Sequence, residues 1–246
     1  MASINDGLNK DNKIVSVLMI GQSNMAGRGN LGEVPEIKNP RCFMLRMGRW
    51  QAMRDPINPD RPISGIRYPS GVSLAGSFMD GLAEFLDREV GVIPCADGGT
   101  ALSQWMPGEI IYDHAVMMCG IAKRTSDIGA IIWHQGESDS ETDPAEYKKN
   151  LKIFFTELRA ALGDPELPII AGELAHTITP NWYCSRTWPT INRILHELED
   201  ELPAFAVAPA DGLELKEDGI HFNSVSLCEF GKRYLEKYIY LYNKAH

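Results

Sequence analysis

The sequence lacks most of what would tie it to a membrane, a nucleic acid or an oxidising compartment. No apolar run approaches the length needed to span a bilayer, and Met1 to Lys13 is polar, without the apolar centre of a secretory signal. Positive charge is scarce, with 24 Lys and Arg against 33 Asp and Glu and a formal net charge of −9. That balance argues against the basic face of a nucleic-acid binder and against attraction to an anionic membrane. The five cysteines (Cys42, Cys95, Cys119, Cys184, Cys228) are odd in number and scattered, with no C-x-x-C pair. Free or buried thiols in a reducing compartment fit that pattern, so the expected location is cytoplasmic. There is no internal repeat, no G-x-S-x-G elbow and no phosphate-binding G-K-[ST]. His196-Glu197 lacks the second histidine of a zinc protease.

What remains is an ordinary globular composition, 44% hydrophobic and 23% charged over 246 residues, enough for one large domain. Apolar runs alternate with segments of helical spacing. Ile14 to Ile20 reads as a buried parallel strand, Cys42 to Met47 as a short apolar run with a small strand or turn over Trp50 to Met53 packed beside it, and Gly71 to Arg88 as an amphipathic helix. A strand over Val90 to Ala96 is followed by a helix from Glu109 to Arg124 and a strand over Ala130 to Trp133. Asp143-Pro144-Ala145-Glu146 carries an N-cap Asp, a proline at N1 and an acid at N3, so a helix opens there and runs to Gly163. Then come a strand over Leu167 to Leu174, a loop from His176 to Thr187, a helix from Pro189 to Glu201, a strand over Ala204 to Ala208, a polar loop from Asp211 to Asn223, and a last helix opened by Ser224. This alternation predicts one α/β domain over 13–244, a three-layer sandwich on a mainly parallel sheet, preceded by a polar segment over 1–12.

The unusual polar residues fall just after strands. Ser23 follows the first strand, Gly98-Gly99 the Val90 strand, and His134-Gln135-Gly136-Glu137 the Ala130 strand, while Asp218-Gly219-Ile220-His221 lies between the last strand and the last helix. In a parallel sheet these points share one edge, where ligands bind. Acyl transfer needs a nucleophile, a base, an acid to orient the base, and donors for the oxyanion. Ser23, His221 and Asp218 are the candidates for the first three, with Glu137 an alternative acid. The Ser23 N–H, an N–H at Gly98 or Gly99, and the Gln135 amide are candidate oxyanion donors, each typically worth about 3–4 kcal/mol in the transition state. Gln22 and Asn24 bring amides to either side of Ser23, and His134 and Glu137 are expected to brace the loop.

Gly21-Gln22-Ser23-Asn24-Met25-Ala26-Gly27, Gly98-Gly99-Thr100, Trp133-His134-Gln135-Gly136-Glu137-Ser138-Asp139 and Asp218-Gly219-Ile220-His221 together resemble the ordered blocks of SGNH hydrolases. More narrowly they are similar to the sialate O-acetylesterase and acetylxylan esterase branch. The resemblance implies a flavodoxin-like sheet and a metal-independent carbohydrate esterase acting on a small acetylated saccharide. It maps the nucleophile to Ser23, the base to His221 and the acid to Asp218, with Gln135 where the wider superfamily has an asparagine donor.

Other readings fare worse. Gly27-Arg28-Gly29-Asn30-Leu31-Gly32 has dinucleotide-binding spacing, but it does not open directly off the strand, and Pro35 and Pro40 would break a helix starting there. A metal site from His134, Glu137 and Asp139 lacks a second histidine at helical spacing, and no cofactor is expected. A non-catalytic carbohydrate-binding protein would have no need of the full nucleophile, base and acid set. Trp105, Trp182, Tyr183 and Trp188 are read as core before sugar platforms, and Arg28 and Arg67 as solvated before substrate contacts.

Overall fold

A computed structural model describes residues 14–59, 69–139, 141–178 and 188–245. Arg67, Trp182, Tyr183 and Cys184 lie outside the described residues. A seven-stranded sheet runs in the order β3-β2-β4-β1-β5-β6-β7. The strands are β1 (Ile14–Gly21), β2 (Cys42–Arg46), β3 (Arg49–Ala52), β4 (Val90–Pro94), β5 (Ser126–His134), β6 (Ile169–Gly172) and β7 (Phe205–Ala208). All neighbours pair in parallel except β2 and β3, which form an antiparallel hairpin at one edge.

The apolar run of β1 explains its central place. Ile14, Val17, Leu18, Met19 and Ile20 are wholly buried, as a strand covered on both faces requires. Helices α2 (Leu74–Leu86) and α6 (Ser224–Ala245) pack together on one face, and α3 (Ile110–Ala122), α4 (Pro144–Leu162) and α5 (Trp188–Glu201) line the other. The three cues at the start of α4 act as the sequence indicates. Asp143 Oδ1 accepts the N–H groups of Ala145 and Glu146 at 3.0 Å, and Gly163 closes the helix in the left-handed region. Trp105 is core: its ring meets Trp133 edge-on at 5.5 Å and its Nε1–H donates to Thr100 Oγ1. Trp188 stacks on His176 at 4.9 Å.

The expected elements are all present with ends moved by a few residues. The largest change is β5, which begins at Ser126, four residues before the apolar run that marks it in the sequence. Ser126, Asp127 and Ile128 pair with β1 ahead of a register shift at Ser16/Val17 that passes over Gly129, so hydrophobicity alone does not reveal this half. Cys42, Cys95 and Cys119 are buried and Cys228 half-buried. Among the described residues no helix is long and apolar enough to cross a membrane.

Candidate active site

The site is built on the end of β1. Gly21 has φ +131°, and a Cβ there would stand 2.1 Å from the carbonyl oxygen of His134. Only glycine lets β1 press this closely on the end of β5. Gln22 N–H then donates to His134 O at 2.8 Å, and the chain turns into a single helical turn, α1 (Ser23–Ala26), with Ser23 at its head. Because β4 and β5 are the immediate neighbours of β1, their carboxyl-end loops flank Ser23 on either side.

The histidine arrives from three strands away. Residues 214–223, expected as a polar loop, fold back as a narrow hairpin, with Leu215 bridged to Phe222, Lys216 N–H on His221 O at 2.7 Å and Asn223 N–H on Glu214 O at 3.1 Å. Its tip carries Asp218 and His221 over the sheet edge. Lys216 Nζ anchors it by donating to Arg28 O at 2.8 Å and Asn30 Oδ1 at 3.2 Å.

His221 Nε2 lies 2.9 Å from Ser23 Oγ, and Nδ1 lies 2.9 Å from Asp218 Oδ2. Asp218 Oδ1 accepts the N–H groups of Ile220 at 3.0 Å and His221 at 2.9 Å. Burial alone would raise the Asp218 pKa. The two backbone N–H groups and the imidazole outweigh it and hold the carboxyl below its ordinary value. Of the two candidate acids, it is Asp218 that meets the imidazole. Glu137 is wholly buried elsewhere, with Oε1 accepting from Asn24 Nδ2 at 2.7 Å and standing 3.6 Å from His134 Nδ1. His134 is equally buried, and desolvation lowers its pKa, so it is neutral. Its Nε2 faces the Glu173 carbonyl at 3.1 Å and therefore carries the proton.

The amides near Ser23 are engaged with other partners. Gln22 and Asn24 do not turn their amides to the hydroxyl. Gln22 Oε1 accepts from the Gly136 and Ser138 N–H groups at 3.4 and 3.3 Å, and Asn24 faces the histidine segment. Gln135 is not turned to an oxyanion either. Its two amide hydrogens go to Thr100 O, at 3.0 Å, and to the Asp139 carboxylate, while its Oε1 accepts from Tyr147 OH at 3.1 Å. A buried amide satisfies its partners where they are, and the longer glutamine arm reaches into the core. Asp139 also accepts the Leu102 N–H at 2.9 Å, so this network ties the loop after β4 to the loop after β5.

Gly98 lies beside Ser23. The position of a Cβ on it is 3.8 Å from Ser23 Cβ and 2.4 Å from Arg28 Nη2, so the serine and a guanidinium flank one spot. Gly99 is exposed. Arg28 Nη1 also donates to Gly27 O at 2.9 Å, making it part of the wall and not a freely solvated side chain. Among the described residues no group of three or more His, Cys, Asp or Glu side chains is arranged to hold a metal ion.

Comparison with known proteins identifies the family and the fold. The chain is 27% identical over 243 residues to a probable carbohydrate esterase of Arabidopsis thaliana, covering 90% of this chain and 89% of that one. A crystal structure of an Arabidopsis thaliana protein superposes with a TM-score of 0.81 at 25% identity, covering 93% of this chain and 98% of the other. NanS shares the fold at a TM-score of 0.73 and 16% identity, covering 95% and 98%. The model of one family, described as carbohydrate esterase, sialic acid-specific acetylesterase, matches residues 14–240. With its SGNH-type α/β fold and a match over nearly its whole length, the chain belongs to this carbohydrate esterase family.

Proposed function

We propose that the chain is a serine esterase that removes O-acetyl groups from saccharides, with Ser23 as nucleophile, His221 as general base and acid, and Asp218 orienting the imidazole. The observation that carries this reading is the unbroken relay Asp218–His221–Ser23, both links 2.9 Å long. An ionised Asp218 accepts the Nδ1 proton, which leaves the Nε2 lone pair facing the serine hydroxyl. Ser23 Oγ attacks the acetyl carbonyl carbon as its proton passes to Nε2. The tetrahedral intermediate collapses, the C–O bond to the sugar breaks, and Nε2 returns the proton to the leaving oxygen. Water then attacks acetyl-Ser23 by the same route, giving acetate and the free serine.

The developing oxyanion is assigned to two backbone donors. Ser23 N–H stands in the first turn of α1, where no intrahelical carbonyl claims it. The second is the N–H of Gly98 or Gly99, of which Gly98 lies beside Ser23. The substrate class derives from the family, and acetylxylan-type saccharides and O-acetylated sialic acids are the two candidates within it.

The test is acetate release from a panel of acetylated saccharides, with p-nitrophenyl acetate as the reference ester. Release from one saccharide class well above the reference is the expected result and names the substrate. Cleavage of the reference ester alone would make the protein a general small-acyl esterase. No release from any ester would overturn the reading in favour of a non-catalytic saccharide binder.

A further inference from the structure

Asp218 and His221 lie on the same hairpin, three residues apart. Asp218 can set the rotation of the imidazole, but it moves with the ring and cannot place it relative to Ser23, which belongs to a different element 198 residues away. Something on the nucleophile's side must hold the hairpin. Lys216 and Ser224 do so at the rim, through Arg28 O, Asn30 and Glu33. The contact nearest the imidazole is deeper. Asn24, next in sequence to the nucleophile and 1% exposed, donates from Nδ2 to the carbonyl of Ile220 at 3.2 Å and accepts the N–H of Phe222 on Oδ1 at 3.0 Å. These are the peptide groups immediately before and after His221.

We propose that Asn24 is the positioning residue for the base: its amide clamps the two peptide groups that bracket His221, and buried Glu137 fixes which way round that amide sits. This rests on the reading of His221 as the base. The orientation is dictated by donor and acceptor types. Glu137 Oε1 takes the second Nδ2 hydrogen at 2.7 Å. A flipped amide would set an oxygen against two oxygens, those of Ile220 and Glu137, and a nitrogen against the Phe222 N–H. With both hydrogens and the oxygen engaged, Asn24 has no donor left for an oxyanion. Nucleophile and clamp share one helical turn, so the Oγ to Nε2 distance is set by a single rigid unit.

Asn24→Asp exchanges one NH2 for an oxygen at constant shape and turns the clamp repulsive, and Asn24→Ala removes it. Both are expected to lower kcat on the order of 100-fold with KM within a few-fold of the parent. In a His221→Ala background Asn24→Ala is expected to change the residual rate less than about two-fold, because it acts through that imidazole. Parent-like kcat in folded Asn24→Ala, or an equal loss in the His221→Ala background, would overturn the proposal. Hydrogen exchange at the Phe222 amide needs no activity: it should accelerate at least tenfold in Asn24→Ala, and unchanged exchange would overturn the clamp. If the parent cleaves no acetyl ester, the proposed function fails while this readout still judges the placement. Should neither variant fold, the parent decides: slowly exchanging Asn24 side-chain hydrogens support the clamp, and exchange at the rate of a free amide contradicts it.

Discussion

Gln135 separates two jobs that a polar side chain beside an active site can do. As an oxyanion donor, its removal would cost about 10²–10³ in kcat with little effect on folding. As a buried link between Thr100, Asp139 and Tyr147, its removal takes a hydrogen-bond partner from each of those groups, at about 1–3 kcal/mol. The geometry predicts the second outcome. Gln135→Ala should melt several degrees lower than the parent and keep its kcat within about tenfold once folded protein is counted, measured by thermal unfolding and steady-state kinetics. The sequence makes three of the four site segments visible because glycines and polar residues follow apolar strands there. It does not say which way each side chain turns. Gln22, Asn24 and Gln135 have the right chemistry for the serine, and their amides instead satisfy buried carbonyls, carboxylates and N–H groups, a competition that only the packed structure decides.

Two elements carry the arrangement, and each offers a test. Helix α6 starts three residues after His221 and lies against α2 at Gly231, where a Cβ would meet Leu74 O at 2.1 Å and Ser77 Oγ at 2.2 Å. The neighbour is backbone and cannot step aside. Gly231→Ala should therefore lose about 1–3 kcal/mol, read as a lower denaturation midpoint with an unchanged slope.

Helix α5 is tied to the end of β6 by Glu173, whose carboxylate receives His196 Nε2 at 2.8 Å, His176 Nε2 at 2.9 Å and Ala210 N–H at 2.9 Å. Burial opposes both charges. The hydrogen bonds prevail, raising the pKa of His196 through Glu173 and Glu199 and lowering that of Glu173 through His196 and its other donors. Linkage gives the signs. The His196 contribution is complete below the ordinary imidazole value and is lost as pH rises through the raised one. The Glu173 contribution is complete above the ordinary carboxylate value and is lost as pH falls through the lowered one. His196→Ala should thus lower the melting temperature most between the ordinary carboxylate and imidazole values and least at pH well above the raised imidazole value. An equal drop at all pH values would deny the ion pair its role.

The hairpin of residues 214–223 is the element least legible in the sequence. Its strands are too short and too polar to alternate, and its register is set by Asx-type contacts and by docking on Arg28 and Asn30.

At the scale of the molecule, one sheet collects residues from the whole chain into one place. The order β4-β1-β5 puts the loops holding Gly98, Ser23 and Gln135 side by side, and the hairpin after β7 closes over them. This part is legible in the sequence, because alternating strands and helices leave few topologies and a parallel sheet has one functional edge. The central claim is that Ser23 is the group made nucleophilic by that convergence. Its most direct measurement is mass spectrometry of the folded protein after exposure to a fluorophosphonate, set beside acetate release by Ser23→Ala. One equivalent of probe on Ser23, with none on protein denatured before exposure, and acetate release abolished in a folded Ser23→Ala variant, is the predicted result. A probe that leaves Ser23 unmodified, or a Ser23→Ala variant that still releases acetate at the parent rate, would contradict it.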